Sequence, residues 1–155
     1  MKSNDFDNIV CPIADVLGVM GDKWAGLILR DLMLGVSRYS DFSESSNITH
    51  ATLSSRLKQL EQHGLIEKQQ YQTSPARYEY HLTEQGKDLA LVMVALAQVG
   101  SKWNLSGWEK VPLRFVRKSN GNPLRLALLD STSGEWVGFD DVAVEKDKVE
   151  KDVAK

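Results

Sequence analysis

The chain has 155 residues and a formal net charge of −2, with 42% hydrophobic and 26% charged residues. These proportions are typical of one globular domain, and the near-neutral charge excludes a protein that binds polyanions through bulk charge. The single cysteine excludes an internal disulfide and a zinc site built from several thiolates.

Apolar periodicity predicts two helices in the first part of the chain. Pro12 stands at a first helical position and opens an apolar stripe that runs to Met20. A second, largely buried helix is predicted over Lys23 to Leu34, and Gly35 should stop it. Ser40 is the expected N-cap of a short third helix, because acidic residues follow it in the first turn.

The segment Asn47 to Gly64 predicts an amphipathic helix. Leu53, Leu57 and Leu60 fall on one helical face, while small, polar or basic side chains occupy the rest of the surface. We expect the helix to begin after an N-cap at Thr49 and to end at the glycine.

A β-hairpin and a long helix are predicted next. Two alternating runs, 65–71 and 77–82, flank a turn that contains Pro75. Thr83 then opens a long helix that carries a continuous apolar stripe and ends near Gly107.

Beyond this helix, short apolar runs predict a small β appendage. Strands are expected over 113–116 and 124–129, around a turn at 120–122. We expect the appendage to pack on the long helix or on its dimer mate, without a metal. Four aromatic residues close in sequence suggest that it forms part of a pocket for a small-molecule effector: Trp108, Phe115, Trp136 and Phe139.

The order of the middle elements is the layout of a winged helix-turn-helix. A short helix, a turn, a second helix with a polar outer face and a hairpin present one helix to the major groove of DNA. Two windows, Ser45 to Leu60 and Lys68 to Tyr78, contain no acidic residue and coincide with that helix and the hairpin. The predicted DNA-binding residues are Ser40, Thr49, His50, Thr52, Ser55, Arg56, Lys58, Ser74 and Arg77.

The fold class is therefore α+β, mainly α, with a winged helix-turn-helix domain, a long C-terminal dimerisation helix and a small β-hairpin appendage. We expect residues 1–107 to form the DNA-binding and dimerisation domain and residues 108–145 the appendage. Residues 146–155 alternate basic and acidic side chains and predict a frayed tail.

Eight short motifs, in order, resemble the HxlR-type regulators. The match covers about Cys11 to Trp103 and is carried by Cys11 to Ala14, Gly21 to Trp24, Ile28 to Leu32, Tyr39 to Phe42, Thr52 to Glu61, Gly64 to Ile66, Pro75 to Tyr80 and Leu82 to Gly86. The resemblance implies a dimeric bacterial transcription factor that binds a pseudo-palindromic operator in double-stranded DNA. We expect it to act as a repressor.

A homodimer also has a physical rationale, because two recognition helices discriminate far better than one. The first helix and the long helix carry more apolar residues than one thin domain covers, although some of these also pack the core of a single chain. The interface candidates are Ile13, Val16, Leu17, Leu89, Val92, Met93, Leu96, Val99 and Trp103.

Two interpretations of Cys11 stay open. It falls next to the N-cap of the first helix, where the positive end of the helix dipole favours a thiolate. Some members of the resembled family sense electrophiles or oxidants through a cysteine at this position, which makes Cys11 a candidate redox sensor. The alternative is a buried thiol that acts as a small hydrophobe.

The sequence does not predict an enzyme. His50, His63 and His81 have no metal-ligand spacing with one another or with Cys11, and no phosphate-binding or dinucleotide-binding motif is present. We therefore expect no metal and no cofactor. The alternative function is a winged-helix module that binds a protein instead of DNA. Met1 to Asn8 lacks a secretion signal and no apolar run could span a membrane, so we expect a cytoplasmic protein.

Overall fold

The computed structural model describes residues 9–145 of the chain. The residues group into two compact units, the first ending at Ala90 and the second beginning at Leu91. The predicted functional division at residue 107 remains a prediction, and the predicted charged tail at 146–155 lies outside the described residues. None of the described helices has the length and apolar character needed to cross a membrane.

The first unit is a winged helix-turn-helix, which confirms the predicted fold class. Four helices precede a two-stranded antiparallel hairpin, and a short helix follows it. In chain order the elements are α1 (Pro12–Met20), α2 (Lys23–Met33), α3 (Tyr39–Ser46), α4 (His50–Gln62), β1 (Ile66–Thr73), β2 (Ala76–Leu82) and α5 (Glu84–Asp88).

Helix α4 begins and ends where the sequence predicts. The Thr49 hydroxyl accepts a hydrogen bond from the backbone N–H of Thr52 at 3.3 Å, as an N-cap does. Gly64 follows the helix with φ of +69°, a conformation that glycine adopts without strain. Leu53, Leu57 and Leu60 are all buried, so one face of α4 is anchored in the core and the opposite face remains outside.

The prediction that Ser40 caps α3 is wrong. The helix begins one residue before it, at Tyr39, and the N-cap is Arg38, whose side chain makes no capping bond. Arg38 is held in an extended conformation because it pairs with Glu79 of β2 in an antiparallel bridge. The Ser40 hydroxyl instead donates to the Asp41 carboxylate at 2.8 Å.

The hairpin β1–β2, which we call the wing, is attached to the start of α3. Its register runs from Ile66 opposite Leu82 to Thr73 opposite Ala76. The backbone N–H of Tyr80 donates to the carbonyl of Ser37 at 2.8 Å, beside the Arg38–Glu79 bridge. The segment before α3 therefore acts as a short third strand on the edge of the wing.

The predicted long helix is interrupted at Leu89. Thr83 caps its start as expected, accepting from the backbone N–H of Gly86 at 3.0 Å. The N–H of Leu89 then donates to the carbonyl of Gly86, three residues back, which tightens the last turn and ends α5. Gly86 is buried, and no larger residue fits this position because a Cβ atom there would lie 1.9 Å from the carbonyl oxygen of Leu65.

The second unit consists of α6 (Ala90–Trp103) and the β appendage, which contains β3 (Leu128–Leu129), β4 (Trp136–Val137) and a turn of 3-10 helix. The strands predicted over 113–116 and 124–129 are wrong in length, because that pairing is limited to a single bridge between Val116 and Pro123. The backbone of Leu126 pairs instead with the side chain of Gln98 on α6. The Gln98 amide donates to the Leu126 carbonyl at 3.2 Å and accepts from its N–H at 2.9 Å.

Candidate nucleic-acid interface

The outer face of α4 is polar and carries no acidic residue in its first three turns. Thr49, His50, Ser55 and Lys58 are exposed, and Thr52 is partly exposed. The hydroxyls of the two threonines lie 2.9 Å apart. Short side chains at the start of the helix leave room for close approach to base edges in a major groove.

Tyr39 joins the two helices of the helix-turn-helix. Its ring stacks on that of His50 with the centroids 5.7 Å apart and the planes nearly parallel, at 6°. Its hydroxyl also donates to the backbone carbonyl of His50 at 2.9 Å. The first residue of α3 therefore fixes the first residue of α4, and the exposed Ser40 lies beside this contact.

Arg56 is placed differently from the other predicted residues, because its guanidinium group is already paired. Its Nη2 lies 2.7 Å from the Asp22 carboxylate, and its Nε donates to the same oxygen at 2.8 Å. The Nη1 donates to the side-chain carbonyl of Gln59 at 3.3 Å. Arg56 therefore connects α4 to the N-cap of α2, and a contact with DNA would require this group to leave Asp22.

Asp22 is stabilised in its charged form. Partial burial raises the pKa of this carboxyl, but other interactions outweigh the effect. They are the hydrogen bond and the positive charge of Arg56 and the N–H groups of Ala25 and Trp24, which donate to the carboxylate. The pKa of Asp22 therefore lies below its ordinary value of 3.8.

A cavity of about 490 Å³ opens between the start of α3 and the wing, and we call it the wing cavity. Arg38 lies over the ring of Tyr71, with its guanidinium carbon 4.8 Å from the ring centroid. No acidic residue lines this cavity. Lys68, on β1, lies over the ring of Tyr78, with its Nζ 4.0 Å from the ring centroid. The lining residues are Arg38, Tyr39, Ser40, Tyr71, Ala76, Arg77, Tyr78 and Tyr80.

Sequence reasoning missed Arg38, Tyr39 and Tyr71 as members of this surface. Tyr71 lies inside the second acid-free window, so the sequence already placed it on the predicted DNA-binding hairpin. Arg38 lies outside both windows, and only its pairing with Glu79 places it against the wing. The predicted residues Ser74 and Arg77 are exposed, at the turn of the wing and at the start of β2.

The predicted interface residues are distributed over both units. On α1, Ile13, Val16 and Leu17 are exposed. Leu89 is only 8% exposed and belongs to the core of its own chain, so it has little surface for a partner. On α6, Val92 and Met93 are half-buried, whereas the remaining candidates form an exposed stripe of Leu96, Val99 and Trp103.

Cys11 occupies the N-cap position of α1. It is half-buried, and its backbone is extended, with φ of −159°. No side chain caps this helix end in its place. Within residues 9–145, no group of three or more His, Cys, Asp or Glu side chains is arranged to hold a metal ion.

Comparison with known proteins gives a consistent result. The model of the HxlR-like helix-turn-helix family matches residues 19–107. The HTH-type transcriptional regulator Mb3122 of Mycobacterium bovis is 34% identical over 125 residues, which is 81% of this chain and 78% of that protein.

Two solved structures are also similar. The candidate transcription factor PA1607 is 31% identical with a TM-score of 0.79, over 92% of this chain and 99% of that one. The redox regulator HypR in its oxidized form is 30% identical with a TM-score of 0.55, over 59% of this chain and 96% of that one. The match with PA1607 extends beyond the family model, so it includes part of the β appendage.

Proposed function

This chain belongs to the HxlR-like helix-turn-helix family, whose members are transcriptional regulators and not enzymes, and we propose that it represses transcription by binding a pseudo-palindromic DNA operator as a homodimer. The observation that carries the proposal is that the first three turns of α4 and the lining of the wing cavity contain no acidic residue, while Arg38, Lys58 and Arg77 are exposed there. A cationic surface of this kind is the electrostatic footprint of a DNA-binding protein. Such a regulator works beside the chromosome, which agrees with the predicted cytoplasmic location.

The side chains of this surface fall into two groups, one that would contact base edges and one that would contact phosphates. His50 and Ser55, with the hydroxyls of Thr49 and Thr52, lie on the outer face of α4 and would contact base edges. The remaining residues would bind phosphates, which fix the register on the duplex but carry no sequence information. They are Arg38, Ser40, Lys58, Ser74 and Arg77.

Arg56 has a positioning role in this scheme. Its pair with Asp22 holds α4 against the start of α2, so the orientation of the recognition helix depends on it. The alternative role is a direct contact with DNA, for which the guanidinium group of Arg56 would have to leave the Asp22 carboxylate.

The function is tested by fluorescence anisotropy on a duplex from the upstream intergenic region of its own gene, against a scrambled duplex of equal length at constant salt. We expect specific binding about a thousandfold tighter than nonspecific binding. Arg38→Ala and Arg77→Ala should each lower the slope of log affinity against log salt by about one, as a lost phosphate contact does. Equal, weak binding to both duplexes and to the selected sites of a random library would favour a protein-binding module.

The homodimer is proposed from the exposed apolar stripe of α6. Leu96, Val99 and Trp103 follow one another on the same side of the helix, and contiguous apolar surface of this kind is typical of subunit contacts. Sedimentation of Leu96→Asp should give a monomer at concentrations where the unchanged protein is a dimer. Leu34→Asp is the matched control, because Leu34, the C-cap residue of α2, is 62% exposed and its substitution should leave the dimer intact. Identical sedimentation of both variants would contradict this interface.

The redox sensor is the third part of the proposal. Cys11 stands at a helix N-terminus, half-buried, and the structurally similar HypR is a redox regulator. Oxidation by diamide would join the Cys11 thiols of two subunits, with two electrons and two protons passing to the diamide. Cys11→Ser should bind DNA normally and lose the response to diamide and methylglyoxal. A response that persists in this variant would identify Cys11 as a structural residue.

A further inference from the structure

A second cavity lies entirely within the second unit, and nothing in the proposed DNA-binding function uses it. It has a volume of about 400 Å³, within the range of small-molecule sites. One wall is the side of α6 that carries Val94, Ala97, Gln98 and Ser101, and the other wall comes from the segments 111–115 and 123–125 of the appendage. We call it the appendage cavity.

Two arginines line this cavity from facing segments. Val116 and Pro123 form an antiparallel bridge, and the N–H of Leu124 donates to the carbonyl of Phe115 at 2.8 Å. Arg114 precedes Phe115 and Arg125 follows Leu124, so the two arginines flank this hydrogen bond, and both line the cavity.

No negative charge compensates this pair of arginines. The lining contains no acidic residue, and within residues 9–145 neither guanidinium group forms an ion pair or a side-chain hydrogen bond. Two positive charges that line the same cavity repel each other. An anion held between the two guanidinium groups would remove this repulsion and accept hydrogen bonds from both.

The rest of the lining favours an apolar ligand body. Val94, Leu113, Phe115 and Leu124 contribute aliphatic and aromatic surface, with Ala97, Val111 and Pro123 beside them. The two neutral polar residues are already engaged within the protein. Gln98 bonds in both directions to the backbone of Leu126, and the Ser101 hydroxyl donates to the carbonyl of Ala97 at 2.7 Å. They therefore offer few further hydrogen bonds to a ligand.

We propose that the appendage cavity binds a small organic acid with an apolar body, its carboxylate held between Arg114 and Arg125 and its aromatic or aliphatic part against α6 and Phe115. Such a ligand matches both halves of the lining. A neutral hydrocarbon would leave the two arginines without a counter-ion, and an inorganic anion would leave the apolar wall in contact with water. The site shares no residue with the proposed DNA-binding surface, which lies in the first unit.

The test is isothermal titration of the full chain, without DNA, with 2-naphthoate as the probe. We expect one carboxylate per chain, and at least about tenfold weaker binding by Arg114→Gln and by Arg125→Gln, as expected for a lost charge-assisted hydrogen bond. The uncharged analogue 2-naphthalenemethanol and inorganic sulfate should each bind at least about tenfold more weakly than the naphthoate.

Two further variants make the test decisive. Arg117→Gln is the matched control, because Arg117 is an exposed arginine two residues after Phe115 that does not line the cavity. It should bind 2-naphthoate as the unchanged protein does. Ala97→Leu keeps both arginines and fills the cavity from the α6 side, so it should abolish binding while the circular dichroism spectrum stays unchanged.

Three results would overturn the proposal. The first is the absence of heat and of NMR shifts up to about 5 mM naphthoate, the range of very weak ligands. The second is equal binding by the arginine variants and the Arg117→Gln control. The third is weaker operator binding by Arg114→Gln and Arg125→Gln in the absence of any carboxylate, which would assign these arginines to DNA phosphates. Because the titration contains no DNA, failure of the proposed DNA-binding function does not affect it.

Discussion

The two units of the chain differ in how they exclude water. Every buried hydrophobic residue of the described chain lies between Ala14 and Leu89, in the first unit. Beyond Leu89 no described residue is buried, although α6 and the appendage contain many large apolar side chains. The most exposed of these are Leu91, Trp103, Leu105, Leu129, Trp136, Phe139 and Val144.

This difference indicates that the two units are stabilised by different means. The first unit has a core of its own, built around α2, α3 and α4, and it can hold the recognition helix without help. The second unit leaves its apolar surface uncovered within one chain, so its stability should depend on another surface. A second copy supplies such a surface in the proposed homodimer, and an organic acid would cover part of the appendage cavity.

The largest expected effect comes from Gly86→Ala, which should destabilise the first unit. The added Cβ would lie 1.9 Å from the carbonyl oxygen of Leu65, a backbone atom that cannot move aside without shifting the strand. We expect a loss of more than about 3 kcal/mol in the free energy of unfolding, measured in urea. Gly26→Ala is the control, because no atom lies within 4 Å of its Cβ position, and it should not destabilise the fold.

Paired leucine truncations compare the two units directly. Leu57→Ala should cost about 2 to 3 kcal/mol at any protein concentration, because Leu57 is 1% exposed and its removal leaves a cavity. Leu96 is 56% exposed, so Leu96→Ala should matter only where the dimer forms. Thermal melts over a hundredfold range of concentration check this. A concentration-independent loss in Leu96→Ala would mean that α6 is packed within its own chain.

A double-mutant cycle on Asp22 and Arg56 separates the two roles of Arg56. The free energies of unfolding should give a coupling energy on the order of 1 kcal/mol when Asp22→Asn, Arg56→Ala and the double variant are compared with the unchanged protein. If Arg56 acts only through Asp22, Asp22→Asn and Arg56→Ala weaken operator binding together and their effects are not additive. If Arg56 contacts DNA, Asp22→Asn frees it, and this variant binds at least as tightly as the unchanged protein.

The same pair gives a pH dependence. Because the pKa of Asp22 is lower in the folded chain, its stabilising contribution is present above the ordinary value of 3.8 and is lost as the pH falls through the lower folded value. Asp22→Asn should therefore show a smaller decrease in stability over this acidic range. Urea unfolding at several pH values measures the free energy of unfolding of both proteins. If this free energy changed equally with pH in both, the role of the carboxyl would be contradicted.

The smallest expected effect is at Gly100, within α6. No atom lies within 4 Å of its Cβ position, so Gly100→Ala should raise the stability of an isolated helix by about 0.5 to 1 kcal/mol. If a second copy of the chain packs closely against this side of α6, Gly100→Ala should instead lower the stability of the dimer. The dimer dissociation constant and the midpoint of unfolding, measured together, distinguish these outcomes.

The parts that the sequence predicted well depend on local rules. Thr49 and Gly64 set the limits of α4, and its three buried leucines follow from helical spacing alone. The wing was predictable because apolar alternation flanks a turn with Pro75. Family resemblance added the expectation of a dimeric transcription factor that binds a pseudo-palindromic operator.

The parts that were missed depend on contacts between distant residues. Arg56 pairs with a carboxylate 34 positions earlier in the chain, and spacing along α4 carries no sign of it. The strands of the appendage are short because the backbone of Leu126 pairs with Gln98, 28 positions away. Ser40 matched the pattern of an N-cap, but pairing of Arg38 with the wing moved the helix start.

The attachment of the wing to the start of α3 has a consequence for operator choice. The Tyr80–Ser37 hydrogen bond and the Arg38–Glu79 bridge attach the wing to the start of α3, and Tyr39 connects α3 to α4. In the proposed complex, the protein then sets the distance between its contacts in the major groove and its contacts with the DNA backbone. The duplex has to adapt to that length, so operators should be selected partly by bendability and groove width at base pairs that no side chain touches.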